Sequence, residues 1–191
     1  MELASLDSVD ATSLRWLRQS ESPLEFDLSS GDQLLARLRW KSGTGTRATV
    51  QTSAGTWTLK RVGFLNPEIT LRAEGVTVDL ARLSVHWNYH RIEVTGGSSF
   101  RFHRVGVLIP AWQVTDESGG EVLHIEPVRE GRKLVGGAVV ASAASSRLDE
   151  FPRLLVLSWY FIVLAWFEDE ALVPLEGPDL PRDDPVGGAS P

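Results

Sequence analysis

The chain has 191 residues, 42% of them hydrophobic and 23% charged, with a formal net charge of -6. That length carries one full domain, and that composition excludes global disorder. The absence of cysteine excludes disulfides, thiolate catalysis and thiolate metal sites, and the acidic balance argues against nucleic acid as a partner.

The first residues, MELASLDSVD, are acidic where a secretory leader would be basic, and they lack an apolar core segment. The expectation is a cytoplasmic protein, with residues 1–13 a lead-in to the domain. SLRWLRQ follows, and it fits a first strand better than a short helix capped by Asp10 or Ser13.

From Pro23 to about Ser142 the dominant period is two. Ala36, Leu38 and Trp40 alternate with Arg37, Arg39 and Lys41, and Trp57 and Leu59 alternate with threonines and Lys60. Ile69 and Leu71, Val76, Val78 and Leu80, Ile92 and Val94, Phe100 and Phe102, and Trp112 and Val114 continue the pattern. Successive side chains of a strand point to opposite faces, so each run has one apolar and one polar side, as in half-buried antiparallel strands. Glycine-containing clusters punctuate the runs at 29–32, 53–56, 73–75, 95–98, 117–120 and 135–137, where hairpin turns are expected. About a dozen short strands in a meander of hairpins result.

AASSRLDE, residues 143–150, breaks the alternation. Asp149, Glu150 and Pro152 suit a helix start, and a helix is expected at about 152–167. Residues 171–191 are rich in Pro, Gly and Asp, a composition expected to be disordered.

From Leu154 to Phe167 only Ser158 interrupts the apolar run, so this helix has no polar stripe to face water. It must be enclosed by lipid or by protein. Its fourteen residues cover about 21 Å, short of the roughly 30 Å hydrocarbon core, and charges flank both ends. Trp159, Tyr160 and Trp166, with Arg147 and Arg153 upstream, are instead compatible with a tail anchor over 154–167 that would leave a cytoplasmic β-domain. Enclosure by protein is the better fit. Strands that wrap an all-apolar helix can close into a barrel, which removes their exposed edges. The fold class is therefore mainly β, a closed antiparallel barrel of about twelve strands around one hydrophobic C-terminal helix. A single domain spans 14–170. The inward set would be Leu38, Trp40, Val50, Trp57, Leu59, Ile69, Leu71, Val78, Phe100, Phe102 and Trp112.

LLARLRW at 34–40, WTLKRVGF at 57–64, ITLRAEG at 69–75 and LLVLSWYFIVL at 154–164 give a pattern that resembles the tubby C-terminal-domain-like superfamily. Phospholipid scramblases and LURP-one-related proteins share that architecture, and the resemblance covers about residues 14–167. It implies a barrel threaded by its C-terminal helix. Tubby-type members bind phosphoinositide headgroups through basic residues, so the resemblance also implies an anionic lipid ligand, although no individual binding residue carries over.

Motifs for catalysis are missing: the chain contains no GxSxG, HExxH, Walker loop or GxGxxG after a strand. KSGTGT at 41–46 has the wrong order for a phosphate-cradling loop and reads as a hairpin turn. His86 and His90 would share a strand face about 13 Å apart, too far for one metal, and read with His103 and His124 as exposed strand histidines. Glu168, Asp169 and Glu170 read as a solvated helix exit, and Asp116 and Glu117 as turn residues. No catalytic residue, metal or cofactor is expected, although an enzyme with an unrecognised site is a third alternative.

One candidate site remains. Between Gln33 and Pro67 there is no acid, and Arg37, Arg39, Lys41, Arg47, Lys60 and Arg61 supply six bases. Arg37, Arg39 and Lys41 line the outward side of one strand, and the other three belong to the next hairpin. Such a cluster can hold phosphate groups or an anionic membrane surface. It can equally be a solvated strand face that discourages edge pairing. The function expected is a non-enzymatic intracellular binding or scaffold module. Its expected partner is anionic lipid, a membrane surface or another protein.

Overall fold

Most of the period-two runs form strands, and five of the six glycine-containing clusters fall at turns between them. A computed structural model describes residues 3–6, 13–41, 45–63, 67–86, 89–106 and 110–172. The strands are β1 (Leu14–Glu21), β2 (Leu24–Ser30), β3 (Gln33–Trp40), β4 (Arg47–Thr52), β5 (Gly55–Val62) and β6 (Glu68–Ala73). They continue as β7 (Asp79–Val85), β8 (His90–Val94), β9 (Ser99–Val105), β10 (Ala111–Thr115), β11 (Glu121–Glu130) and β12 (Lys133–Val140). Each pairs antiparallel with its sequence neighbours, and β1 pairs with β12 to close a twelve-stranded barrel. In the turn between β8 and β9, Gly96 and Gly97 take φ of 118° and 102°, open to glycine and costly for other residues.

A short 3-10 turn (Ser145–Arg147) leads into α1 (Phe151–Leu172). The helix begins one residue before the expected start and continues well past Phe167. Every residue from Leu154 to Tyr160 is fully buried. At 100° per residue, seven consecutive buried positions cover the whole circumference, so protein surrounds the helix on every side.

Aromatic contacts show which strands surround it. The Trp159 ring stacks on Trp16 of β1 at 5.7 Å and meets Phe26 of β2 edge-on at 5.4 Å. Tyr160 stacks on Trp40 of β3 at 5.4 Å. On the far side Phe161 packs edge-on against Phe102 of β9 and Trp112 of β10, at 5.5 and 5.3 Å. Such pairs contribute about 0.5–1.5 kcal/mol each beyond the area they bury.

The barrel has two distinct ends. At the entry end the Ser98 hydroxyl donates to Glu150 Oε1 at 2.6 Å, just before α1. At the exit end Trp166 Nε1 donates to the carbonyl of Arg132, in the turn between β11 and β12, at 3.1 Å. The Tyr160 hydroxyl donates to the carbonyl of Thr46 beside the β3–β4 connection.

Three sequence expectations need correction. Val78 is 63% exposed and lies outside the strands, in the connection from β6 to β7, so it is not part of the inward set. The glycines at 136–137 form no turn: they are inside β12, where close packing demands them. A Cβ on Gly137 would stand 2.5 Å from the Trp159 ring, and one on Gly136 would stand 2.2 Å from the Trp16 carbonyl oxygen. The strand is glycine-rich because the helix and β1 come close. The histidines are also not uniformly exposed. His90 is half-buried among Phe102, Trp112 and Phe161, its ring 4.4 Å from that of Phe161, while His86 stands past the end of β7.

Candidate functional site: the basic rim at the helix exit

The six bases are not equivalent, because alternation and register give them different neighbours. Arg37 is opposite Asp27 on β2, and its Nε and terminal nitrogen each donate to an Asp27 oxygen at 2.8 Å. Glu25 Oε1 lies 3.4 Å from the same Nε. The hydrogen bonds to Asp27 raise the guanidinium pKa further above its ordinary value, so this cation is fixed and neutralised in place. Arg39 shares Glu25, at 3.6 Å. Arg61 has the opposite parity to Lys60 and pairs with Glu168 of the emerging helix. The expected outward cluster therefore divides, and three of its members are occupied by carboxylates from outside the acid-free segment.

Lys41, Arg47 and Lys60 remain. Among the described residues no carboxylate lies within ion-pair distance of any of them, and all three are exposed. The backbone N–H of Lys41 donates to the carbonyl of Arg47 at 2.9 Å, closing the end of the β3–β4 pair, and Arg47 stands directly opposite Lys60 across β4 and β5. Like charges directly opposite on neighbouring strands are destabilising. Register thus gathers three unpaired cations on one stretch of rim, at the end where α1 leaves the barrel. The row continues to Thr70 and then Arg82, whose guanidinium is taken by Asp79 at 2.8 Å and Glu68 at 3.4 Å. The unpaired patch is bounded there. Residues 42–44 of the expected KSGTGT turn lie outside the described residues, as do 173–191 of the expected acidic tail.

Several other titratable groups are held by their surroundings. Asp116 accepts from the Ser118 hydroxyl at 2.6 Å and from the Gly120 N–H at 2.8 Å, which hold its pKa below the ordinary carboxylate range. Burial pushes the Tyr160 phenol up and the His90 imidazole down to about 4, the latter helped by His86. His124 lies 3.4 Å from Glu126 and 4.0 Å from Glu121. No three His, Asp or Glu side chains stand together as metal ligands among the described residues.

Sequence reading missed a second like-charge pair, Arg91 opposite Arg101 across β8 and β9. Each lies five residues from Gly96, so a hairpin centred on that glycine would have found them. No family model, curated protein or solved structure matches the chain.

Proposed function

We propose that the chain is a non-catalytic binding module whose exit-end rim holds the phosphate groups of an anionic membrane surface. The observation that carries this reading is the convergence of Lys41, Arg47 and Lys60 without acidic partners among the described residues, while neighbouring arginines are neutralised. Exposed Phe167, 38% accessible, belongs to the same end of the barrel and offers an apolar contact beside the cations. A closed twelve-stranded barrel around a C-terminal helix is also the architecture of tubby C-terminal-domain-like proteins, scramblases and LURP-one-related proteins, and that likeness of architecture supports reading the chain as a module of their kind. The module would work at the cytoplasmic face of a membrane.

Each cation near an anionic surface contributes about 1 kcal/mol, so reversing three should weaken membrane partition by about two orders of magnitude or more. Flotation with phosphatidylcholine vesicles, with and without phosphatidylserine, tests this. Binding should require phosphatidylserine, weaken with salt and disappear in a Lys41→Glu, Arg47→Glu, Lys60→Glu variant. Arg39→Glu, at a position already shared with Glu25, should matter far less. Binding indifferent to lipid charge, or equal loss from both variants, would sink the proposal.

A tail anchor is a second reading, because Phe151–Glu168 is long and apolar enough to cross a membrane, with mean hydropathy 1.4 over 18 residues. It would require those residues to leave the barrel and give up the Trp16, Phe26 and Trp40 contacts. A full-length chain that is monodisperse without detergent would exclude it as the resting state.

A further inference from the structure

We propose that the outer wall formed by β8 and β9 carries a separate oxyanion site, suited to a phosphate monoester with a hydroxyl-bearing substituent. It does not depend on the rim site, since β6 and β7 separate the two pairs of strands. The site is a cavity of about 240 Å³ lined by Tyr89, Arg91, Ser99, Phe100, Arg101 and Glu117. That volume holds a phosphate group with a small substituent, and is below the range of drug-sized pockets.

The wall holds an arrangement that by itself weakens the fold. Arg91 and Arg101 stand directly opposite each other, and two guanidiniums in that relation repel. Arg91 is partly compensated: its Nε donates to the Ser99 hydroxyl at 3.0 Å and lies 3.2 Å from Glu93 Oε1. Arg101 has no carboxylate within ion-pair distance among the described residues. Its guanidinium carbon instead sits 5.8 Å from the centre of the Tyr89 ring, an attraction that orients the side chain and leaves its N–H donors available. Two guanidinium forks and a serine hydroxyl on one cavity suit the three terminal oxygens of a phosphate monoester. The exposed Glu117 on the cavity wall would repel a bare anion but accept a hydrogen bond from a hydroxyl on its substituent. A sugar phosphate and a phosphomonoester lipid share this chemistry.

The test uses the full chain with inorganic phosphate, glucose 6-phosphate, or phosphatidylcholine vesicles containing phosphatidic acid. Saturable movement of the Arg91 and Arg101 Nε–H resonances is expected with glucose 6-phosphate, at lower concentration than with inorganic phosphate. Arg101→Lys preserves charge and packing but removes the fork, and should weaken that binding about tenfold or more. Arg101→Gln should leave the ligand-free protein at least as stable, because it relieves a repulsion, and should abolish thermal stabilisation by the sugar phosphate. Lys60→Glu should change neither readout. If phosphatidic acid vesicles displace glucose 6-phosphate the natural source is lipid; if they do not, it is soluble. The proposal is overturned if glucose 6-phosphate gives no saturable shift, if Arg101→Lys binds it unchanged, or if Arg101→Gln destabilises the ligand-free chain.

Discussion

At the scale of single residues, the interior tolerates little change where helix and wall touch. Gly137→Ala would put a methyl group into the Trp159 ring, and Gly136→Ala would put one against the Trp16 carbonyl oxygen. A ring can shift slightly, whereas a paired backbone cannot. Both should destabilise, Gly136→Ala by more, with about 1–3 kcal/mol expected for Gly137→Ala in urea unfolding. Ser158 points the other way. Its hydroxyl is fully buried with no hydrogen-bond partner among the described residues, so Ser158→Ala should raise stability by about 1 kcal/mol.

His90 gives a pH dependence whose sign is fixed by its surroundings. Burial among aromatic rings lowers its pKa from 6.5 to about 4. Between those values the unfolded chain binds a proton that the folded chain does not, so stability should fall as pH falls through that window. The slope should stay below the ~1.4 kcal/mol per pH unit of one full proton, because solvent reaches part of the ring. His90→Phe should flatten it, as urea unfolding at pH 4.5–6.5 would show.

At the scale of elements, strand identity was legible because alternation is a direct imprint of a two-sided sheet: β5 and β9 follow it residue by residue, and β3 follows it from Ala36 to Trp40. The helix was legible because nothing but enclosure suits an all-apolar surface. What alternation cannot carry is partnership. Asp27 and Glu25 lie ten or more residues before the bases they neutralise, and Glu168 is over a hundred residues from Arg61, so only register and barrel closure reveal that half of the basic cluster is occupied. Val76 and Val78 were misplaced for a related reason. Alternating valines in a connection look like those of a strand until pairing shows where β7 begins. Glycine is ambiguous in the same way, since β12 uses it for close approach and the hairpins for positive φ.

At the scale of the whole molecule, the barrel wall and its helix depend on each other. Every strand contributes an apolar side to one interior, and α1 fills it, so neither has an alternative partner in water. Removing residues 151–172 should leave a chain that aggregates or binds hydrophobic dyes, not a soluble barrel. An anchor, by contrast, could be removed harmlessly. The same architecture governs folding. The closing seam pairs β1 with β12, Leu14 with Val139 and Trp16 with Gly137, so contacts more than a hundred residues apart must form before the helix is sealed. Loop-closure entropy opposes such contacts until late, and folding should be slow, in the millisecond-to-second range. Loss of β1 would do more than slow it. Without residues 1–21 both β2 and β12 would become free edges, and Trp159 would lose the ring stacked on it. Light scattering during refolding should show that truncated chain associating, while Trp16→Ala, which keeps the seam but empties the stack, should refold as a monomer weaker by about 3–5 kcal/mol. If the truncated chain instead remained monomeric and folded, the β1–β12 seam would not be what closes the barrel.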